Sequence, residues 1–252
     1  MSEQDPQLVQ NLTPLGAELS RSEGILPLAR GGTGGYSDYL ARMNLGLVCE
    51  EHVNSLTQAV RFITSVQGTG TVAFDDYGFR PKTGTTTGST AKGTYDTAAN
   101  SAKGYLFSGQ SLFFASFAVS TFPVTCEGFI GMGVSAMTTG HVFGGNNIGF
   151  LLNAGDLILV RVNGGTKTST TLVTLAEGDF VRAYIYYNGG GDALVGYSIN
   201  GAAWSIPKQV SGGYPATTSA ESLLQFSLAN VASTDDAAFK LGTFTFRRYG
   251  NI

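Results

Sequence analysis

The chain has 252 residues, 13% of them charged, with 35 glycines and a formal net charge of −3. So sparse and slightly acidic a charge offers no basic face to a phosphate backbone, which argues against nucleic-acid binding. Abundant Gly, Thr and Ser with few charges favour short strands joined by tight turns over helical bundles. Taken in order, residues 1–24 are polar with scattered leucines (Leu8, Leu12, Leu15, Leu19) and no strong period. They are expected to be an arm that orders only on a partner. Their first ten residues lack a basic n-region and an apolar h-region, so no signal peptide is expected and synthesis is expected in a cytoplasm.

Residues 25–47, ILPLARGGTGGYSDYLARMNLGL, combine an apolar entry with a Gly-Gly-Thr-Gly-Gly turn and a short helical stretch. Ser37 suits an N-cap and Asp38 the first turn, where negative charge favours the helix dipole. Asn44 and Gly46 supply a stop. No lysine follows the glycines in the G-x-x-x-x-G-K-[ST] order, so a nucleotide loop is not indicated. The segment resembles the LP-x-x-RGGTG…AR-x-NLGL junction of tailed-bacteriophage fibres: 30–34 fit the RGGTG core, Ala41 and Arg42 the helix, and 44–47 the NLGL exit. The resemblance implies a virion appendage made in the host cytoplasm and exposed on the particle, with residues 1–24 docking to other virion proteins. It also implies a parallel homotrimer.

After the junction, Cys49, Val53, Leu56, Val60 and Ile63 are spaced 4, 3, 4, 3, the a/d seam of a heptad repeat. Two heptads are marginal as an isolated helix. Either the stripe forms a short trimeric coiled-coil stem, which the fibre resemblance favours, or it packs on the body of its own chain. Residues 25–67 are thus expected to be junction plus stem. From 68 to 102 large apolar residues are thin, and the Thr/Gly/Ser-rich 83–94 stretch reads as a linker or exposed loop. Val72, Phe74, Tyr77 and Phe79 suit one or two strands before it.

From residue 103 to 252 the pattern becomes a series of short β segments, at 104–107, 112–119, 127–136, 147–153, 156–163, 168–175, 179–187, 193–201, 223–231 and 239–249. Turn signals separate them: Asn153-Ala-Gly-Asp, Asn163-Gly-Gly, the Gly/Asp run at 188–192 and Asn200-Gly. The apolar runs at 112–119 and 157–160 are too short to cross a bilayer, so no membrane insertion is expected. In the last segment the alternation breaks at Gly242, as a bulge would make it. Such a series predicts a β-sandwich head of the jelly-roll kind. The stretch at 179–204, through 188–192 and Asn200-Gly201, resembles the back-sheet hairpin of concanavalin-like lectin and laminin-G-type sandwiches. That resemblance implies a concanavalin-like jelly roll, a class that often binds glycans.

Catalytic material is scarce. The acids Glu127, Asp156, Glu177, Asp179, Asp192 and Glu221 stand singly at strand starts or turns, where turn chemistry accounts for them. His52 and His141 are the only histidines, and Cys49 and Cys126 show no C-x-x-C spacing, so no metal, cofactor or catalytic triad is expected. Glycan sites use aromatic faces against C–H surfaces, with amides and carboxylates for hydroxyls. Trp204, Tyr214, Tyr186, Asn188 and Asp192, in or beside predicted loops, are the candidates, with core or interface packing as the competing reading of each aromatic. The expected whole is a trimeric fibre whose head binds host cell-surface polysaccharide without cleaving it. The alternatives are a capsid or baseplate decoration protein and a polysaccharide depolymerase.

Overall fold

The computed structural model describes residues 49–54, 62–75, 78–95, 110–121, 126–133, 145–188, 191–215, 223–231 and 236–249. The expected arm, the junction at 25–47 and the 104–107 segment lie outside them. The chain divides into two compact units, Met1–Glu50 with Tyr249–Ile252, and Glu51–Arg248. The second unit is a sandwich of two antiparallel sheets.

The first sheet runs β13 (Lys208–Ser211), β12 (Asp192–Ile199), β11 (Phe180–Tyr187), β6 (Ser111–Thr121), β15 (Ala238–Tyr249), β4 (Gly78–Lys82), β3 (Thr71–Asp75), with β1 (Cys49–Asn54) paired to β15. The second runs β10 (Thr166–Thr174), β9 (Asp156–Asn163), β8 (Asn147–Asn153), β7 (Cys126–Gly133), β14 (Leu223–Asn230), β5 (Thr90–Tyr95), β2 (Phe62–Gln67). Side chains alternate between faces along a strand, so each sheet has one core face and one outer face. In β6, Phe113, Ala115, Phe117 and Val119 are buried, while Leu112, Phe114, Ser116 and Ala118 point the other way. In β11, Val181, Ala183, Ile185 and Tyr187 go inward and Arg182, Tyr184 and Tyr186 outward.

The opposing sheet contributes Ile130, Met132, Ile148, Phe150, Leu152, Leu157, Leu159, Leu224, Phe226 and Leu228 to the same core. Phe113 meets Phe150 across it at 6.1 Å between ring centres, and Phe79 meets Phe226 at 4.9 Å. Each such side chain, fully buried, contributes about 1.5–3 kcal/mol of transfer free energy.

The expected turns are present. The β8–β9 hairpin turns at Ala154 (φ 51°) and Gly155 (φ 84°), and β9–β10 at Gly164 (φ 57°) and Gly165 (φ 84°). Two successive positive φ values match the strand twist, and glycine adopts them at no steric cost. The bulge expected at Gly242 is also present, as a register shift between Leu241 and Phe244 against β6. The Ser116 hydroxyl serves the bulged backbone twice, accepting from Thr243 N at 3.0 Å and donating to Thr243 O at 3.1 Å.

Two expectations need correction. Among the described residues there is no helix: Cys49 and Val53 fall in strand β1 and Ile63 in strand β2, so they do not form a helical seam. Leu56 and Val60 lie outside the described residues. In β2 the β-branched residues Ile63, Thr64 and Val66 suit extended backbone, and pairing with β5 outweighs a two-heptad helix. Ile63 is 58% exposed there. The second correction concerns the 83–94 stretch, read as a linker or exposed loop: strands are expected only before it, around Val72, Phe74, Tyr77 and Phe79, yet residues 71–95 carry three. They supply β3 and β4 to the first sheet and β5 to the second, so the sandwich begins well before residue 103.

Small polar groups order this stretch where large apolar ones are missing. Thr83 is buried, its N–H donates to Ala237 O at 3.0 Å, and its hydroxyl accepts from Ala237 N at 2.9 Å. Gly84 N donates to the Asp236 carboxylate at 2.7 Å, and Ser89 Oγ accepts from Thr69 N at 3.1 Å.

Candidate functional site

The outer face of the first sheet carries aromatics on the phase that most strands give to polar residues. Phe114 pairs in register with Tyr184, and Tyr184 with Gly196, so the Tyr184 ring lies over a position with no side chain. Leu112 pairs with Tyr186, Tyr186 with Leu194, and Leu194 with Gln209, forming a second row.

Trp204 reaches this face because the chain after β12 folds back along the strand. Asn200 (φ 52°) and Gly201 (φ 77°) reverse it, and Ala202 N donates to Ile199 O at 2.9 Å. Ser205 N donates to Tyr197 O at 2.8 Å, and Tyr197 N to Ser205 Oγ at 3.0 Å. The indole then stands 5.4 Å from the Tyr184 ring and 6.4 Å from Phe114. The Arg182 guanidinium lies 5.5 Å from the indole centre, a cation–π arrangement, and donates to Ser198 Oγ at 3.1 Å. Ser198 in turn donates to Ala202 O at 2.6 Å, tying the loop back to β12.

Trp204 nevertheless remains 43% exposed and Ile206 91%. With Leu112, Phe114, Tyr184 and Pro207 they line an open trough of about 670 Å³. Burial raises the Tyr184 phenol above its ordinary pKa, so it stays a neutral donor and acceptor.

A second pocket of about 210 Å³ adjoins it, lined by Tyr186, Asn188, Asp192, Leu194 and Gln209. Three sequence candidates therefore meet here. Asn188 is partly occupied with its own turn, since its Oδ1 accepts from Asp192 N at 3.2 Å. The Tyr186 hydroxyl donates to Gln110 Oε1 at 3.2 Å.

Tyr214 does not join them. It is 5% exposed, its hydroxyl donates to Val210 O at 3.0 Å, and its ring packs 5.2 Å from Tyr187. Burial pushes its pKa up to about 12, against the opposing pull of the Arg161 cation. Arg161 is itself buried, 5.4 Å from the Tyr214 ring centre, and donates to Ser211 O at 3.0 Å, Gly212 O at 2.7 Å and Thr170 Oγ1 at 3.0 Å. A Tyr-Pro pair in a loop reads as exposed, but here the ring completes the core at the β13 edge.

The acids that can be followed serve turns and strand ends. Asp179 accepts from Ala176 N at 2.8 Å and Asn200 Nδ2 at 2.7 Å, and Asp156 accepts from Thr174 Oγ1 at 2.7 Å. Among the described residues no group of three or more His, Cys, Asp or Glu could hold a metal ion. Phe114, Leu112, Tyr184 and Arg182 were not singled out by sequence. For Tyr184 and Arg182 the signal was there, on the phase of β11 that alternates with Val181, Ala183 and Ile185.

No protein-family model matches the chain, and no curated protein matches it. Solved structures do. A protein of unknown function, SO2946 from Shewanella oneidensis MR-1, superposes with a TM-score of 0.56 at 11% identity, covering 85% of this chain and 95% of that one. Peanut lectin, solved with a nine-residue peptide, gives 0.55 at 10% identity, covering 80% and 99%. Lectin UEA-II complexed with galactose gives 0.54 at 12% identity, covering 79% and 98%. The fold is a lectin-like jelly roll. At such identities the likeness concerns the fold alone.

Proposed function

We propose that this chain is an adhesive component of a tailed-phage particle whose jelly roll holds host surface glycan, without cleaving it, on the outer face of the first sheet. The observation that carries the binding part is the open trough around Trp204, where Phe114, Tyr184 and the indole expose apolar surface beside polar neighbours. Sugar rings present one C–H face to such aromatics and direct hydroxyls sideways to amides, carboxylates and backbone groups. The phage assignment is supported by the RGGTG and NLGL junction at 25–47, and the exposed virion location follows from it. The lectin-like fold, shared with a protein solved with bound galactose, agrees with a glycan ligand. Several copies on one particle would raise effective concentration for each later contact, so weak single sites suffice for firm attachment.

Trp204 is the only tryptophan of the chain, so its fluorescence reports on the trough alone. Titration with host polysaccharide should shift that emission, and Trp204→Ala should lower glycan affinity by about tenfold or more, a loss of at least about 1.4 kcal/mol. Unchanged affinity in the variant would remove the trough from the site. Release of oligosaccharides from purified polysaccharide would replace adhesion by hydrolysis.

A further inference from the structure

We infer that the trough and the adjoining pocket act as two subsites for one extended sugar chain, and that the Asp192 end selects neutral or amino sugars over acidic ones. This rests on the glycan-binding reading above and names the ligand class more closely.

The first argument is continuity. Leu112 lines the trough and is the register partner of Tyr186, which lines the pocket. Tyr184 and Tyr186 stand on the same face two residues apart along β11, about 7 Å at strand rise. Beyond Tyr186 the row continues through Leu194, 41% exposed, to Gln209 on β13. From β6 to β13 this crosses three strand gaps, about 14 Å at ordinary spacing, which exceeds a single sugar ring. An isolated terminal sugar would leave half of this surface uncovered.

The second argument is chemistry. The trough is almost wholly apolar, whereas the pocket offers the Tyr186 hydroxyl, the Gln209 amide and the Asp192 carboxylate. One end therefore suits the C–H face of a ring, and the other its hydroxyls or an ammonium group. Among the described residues Asp192 is the only charged one lining either cavity. On this face Arg182 lies against the indole and is bonded to Ser198, and Arg247 pairs with Leu112, two strands away from Tyr186. Lys208 pairs with Val195, a core-facing position, and so falls on the opposite phase from Gln209. A uronic acid in the pocket would meet a carboxylate with no cation among the described residues that line it, and repulsion of that kind excludes ligands as effectively as attraction recruits them.

The test uses the full chain on an array of neutral, amino-sugar and uronate polymers. A length ladder of the strongest neutral or amino-sugar binder follows, from the single sugar to the hexamer, beside oligogalacturonate. Affinity should rise by about tenfold or more between the single sugar and the trimer or tetramer and then level off. Oligogalacturonate should bind weakest, and Asp192→Asn should strengthen it while changing the neutral ladder little. Trp204→Ala should weaken every member. Equal affinity for single sugar and hexamer, with Trp204→Ala still weakening both, would overturn the extended site and leave the glycan reading standing. Strongest binding to uronate chains would overturn the charge selection. No binding anywhere on the array would sink both readings together.

Discussion

On the outer face of the first sheet, Phe114, Tyr184 and Trp204 surround an open trough; on the outer face of the second, Phe129, Leu151, Val160 and Val162 are sealed from solvent. Apart from Trp204, which comes from a loop, both sets lie on the strand phase that turns away from the shared core. The sealed face is paved with backbone: Gly131 pairs with Gly149, and the Phe129 ring lies across the pair. Beside it Gln225 Nε2 donates to Asn147 Oδ1 at 3.1 Å, both residues buried. Satisfying that amide pair internally is what allows these polar side chains to stay buried. On the open face, aromatics and leucines share the phase with Ser116, Arg182 and Ser198. A strand apolar on both phases marks a sheet covered twice, whereas aromatics mixed with polar groups mark a surface kept for contact.

The comparison breaks first at its largest difference. Phe129→Ala should destabilise the fold by about 3–5 kcal/mol, since a ring with no exposure leaves a cavity. Trp204→Ala, at a surface position, should cost less than about 1 kcal/mol in the same denaturant titration. Equal costs would show that the two faces are not energetically distinct.

Paired glycine substitutions sharpen the point. A Cβ on Gly149 would stand 2.5 Å from Ile130 O and 2.7 Å from Gly131 Cα, backbone that cannot swing aside. Gly149→Ala should therefore cost about 1–3 kcal/mol. A Cβ on Gly196 would instead meet the far end of the Tyr184 ring at 2.5 Å. That ring can rotate away, so Gly196→Ala should cost less than about 1 kcal/mol in stability yet alter Trp204 emission and weaken glycan binding.

The smallest effect sits at the rim of the sealed face. Glu127 shares the phase of Phe129, and burial raises its carboxyl pKa, with Lys167 opposing. A raised folded-state pKa means that the ionised form is disfavoured on folding. The resulting penalty is absent at pH below the unfolded value and develops as pH rises through the folded one. Glu127→Gln should accordingly raise the melting temperature slightly at neutral pH and leave it unchanged in acid.

Much of the sandwich was legible because its hairpins obey simple rules. The segments 147–153 and 156–163, with Asn153-Ala-Gly-Asp between them, coincide with β8, β9 and their turn. The bulge at Gly242 showed as a broken alternation. Strand β5 was obscure for the opposite reason: Thr83 and Ser89, just before it, are buried through hydrogen bonds, which leave no hydrophobic period. The heptad spacing from Cys49 to Ile63 was real as a pattern, but cross-strand pairing of β2 with β5 decided the outcome. At the candidate site Trp204 stood out as a lone tryptophan in a loop. Phe114 did not, because an apolar run such as 112–119 cannot tell its two phases apart until the sheet is assembled. Tyr214 misled because the ring and charge it packs against, Tyr187 and Arg161, are distant in sequence.

The fork of Arg161 carries a consequence for recognition. It begins on the second sheet and grips the carbonyls of Ser211 and Gly212, at the end of a four-residue edge strand that pairs only with β12. A strand so short would otherwise fray on its own timescale. Two charge-assisted hydrogen bonds to successive carbonyls hold it in place. The backbone that carries Gln209 is thereby fixed at folding, and a ligand meeting that edge has less chain to order on contact. Weak ligands gain most from a wall already built.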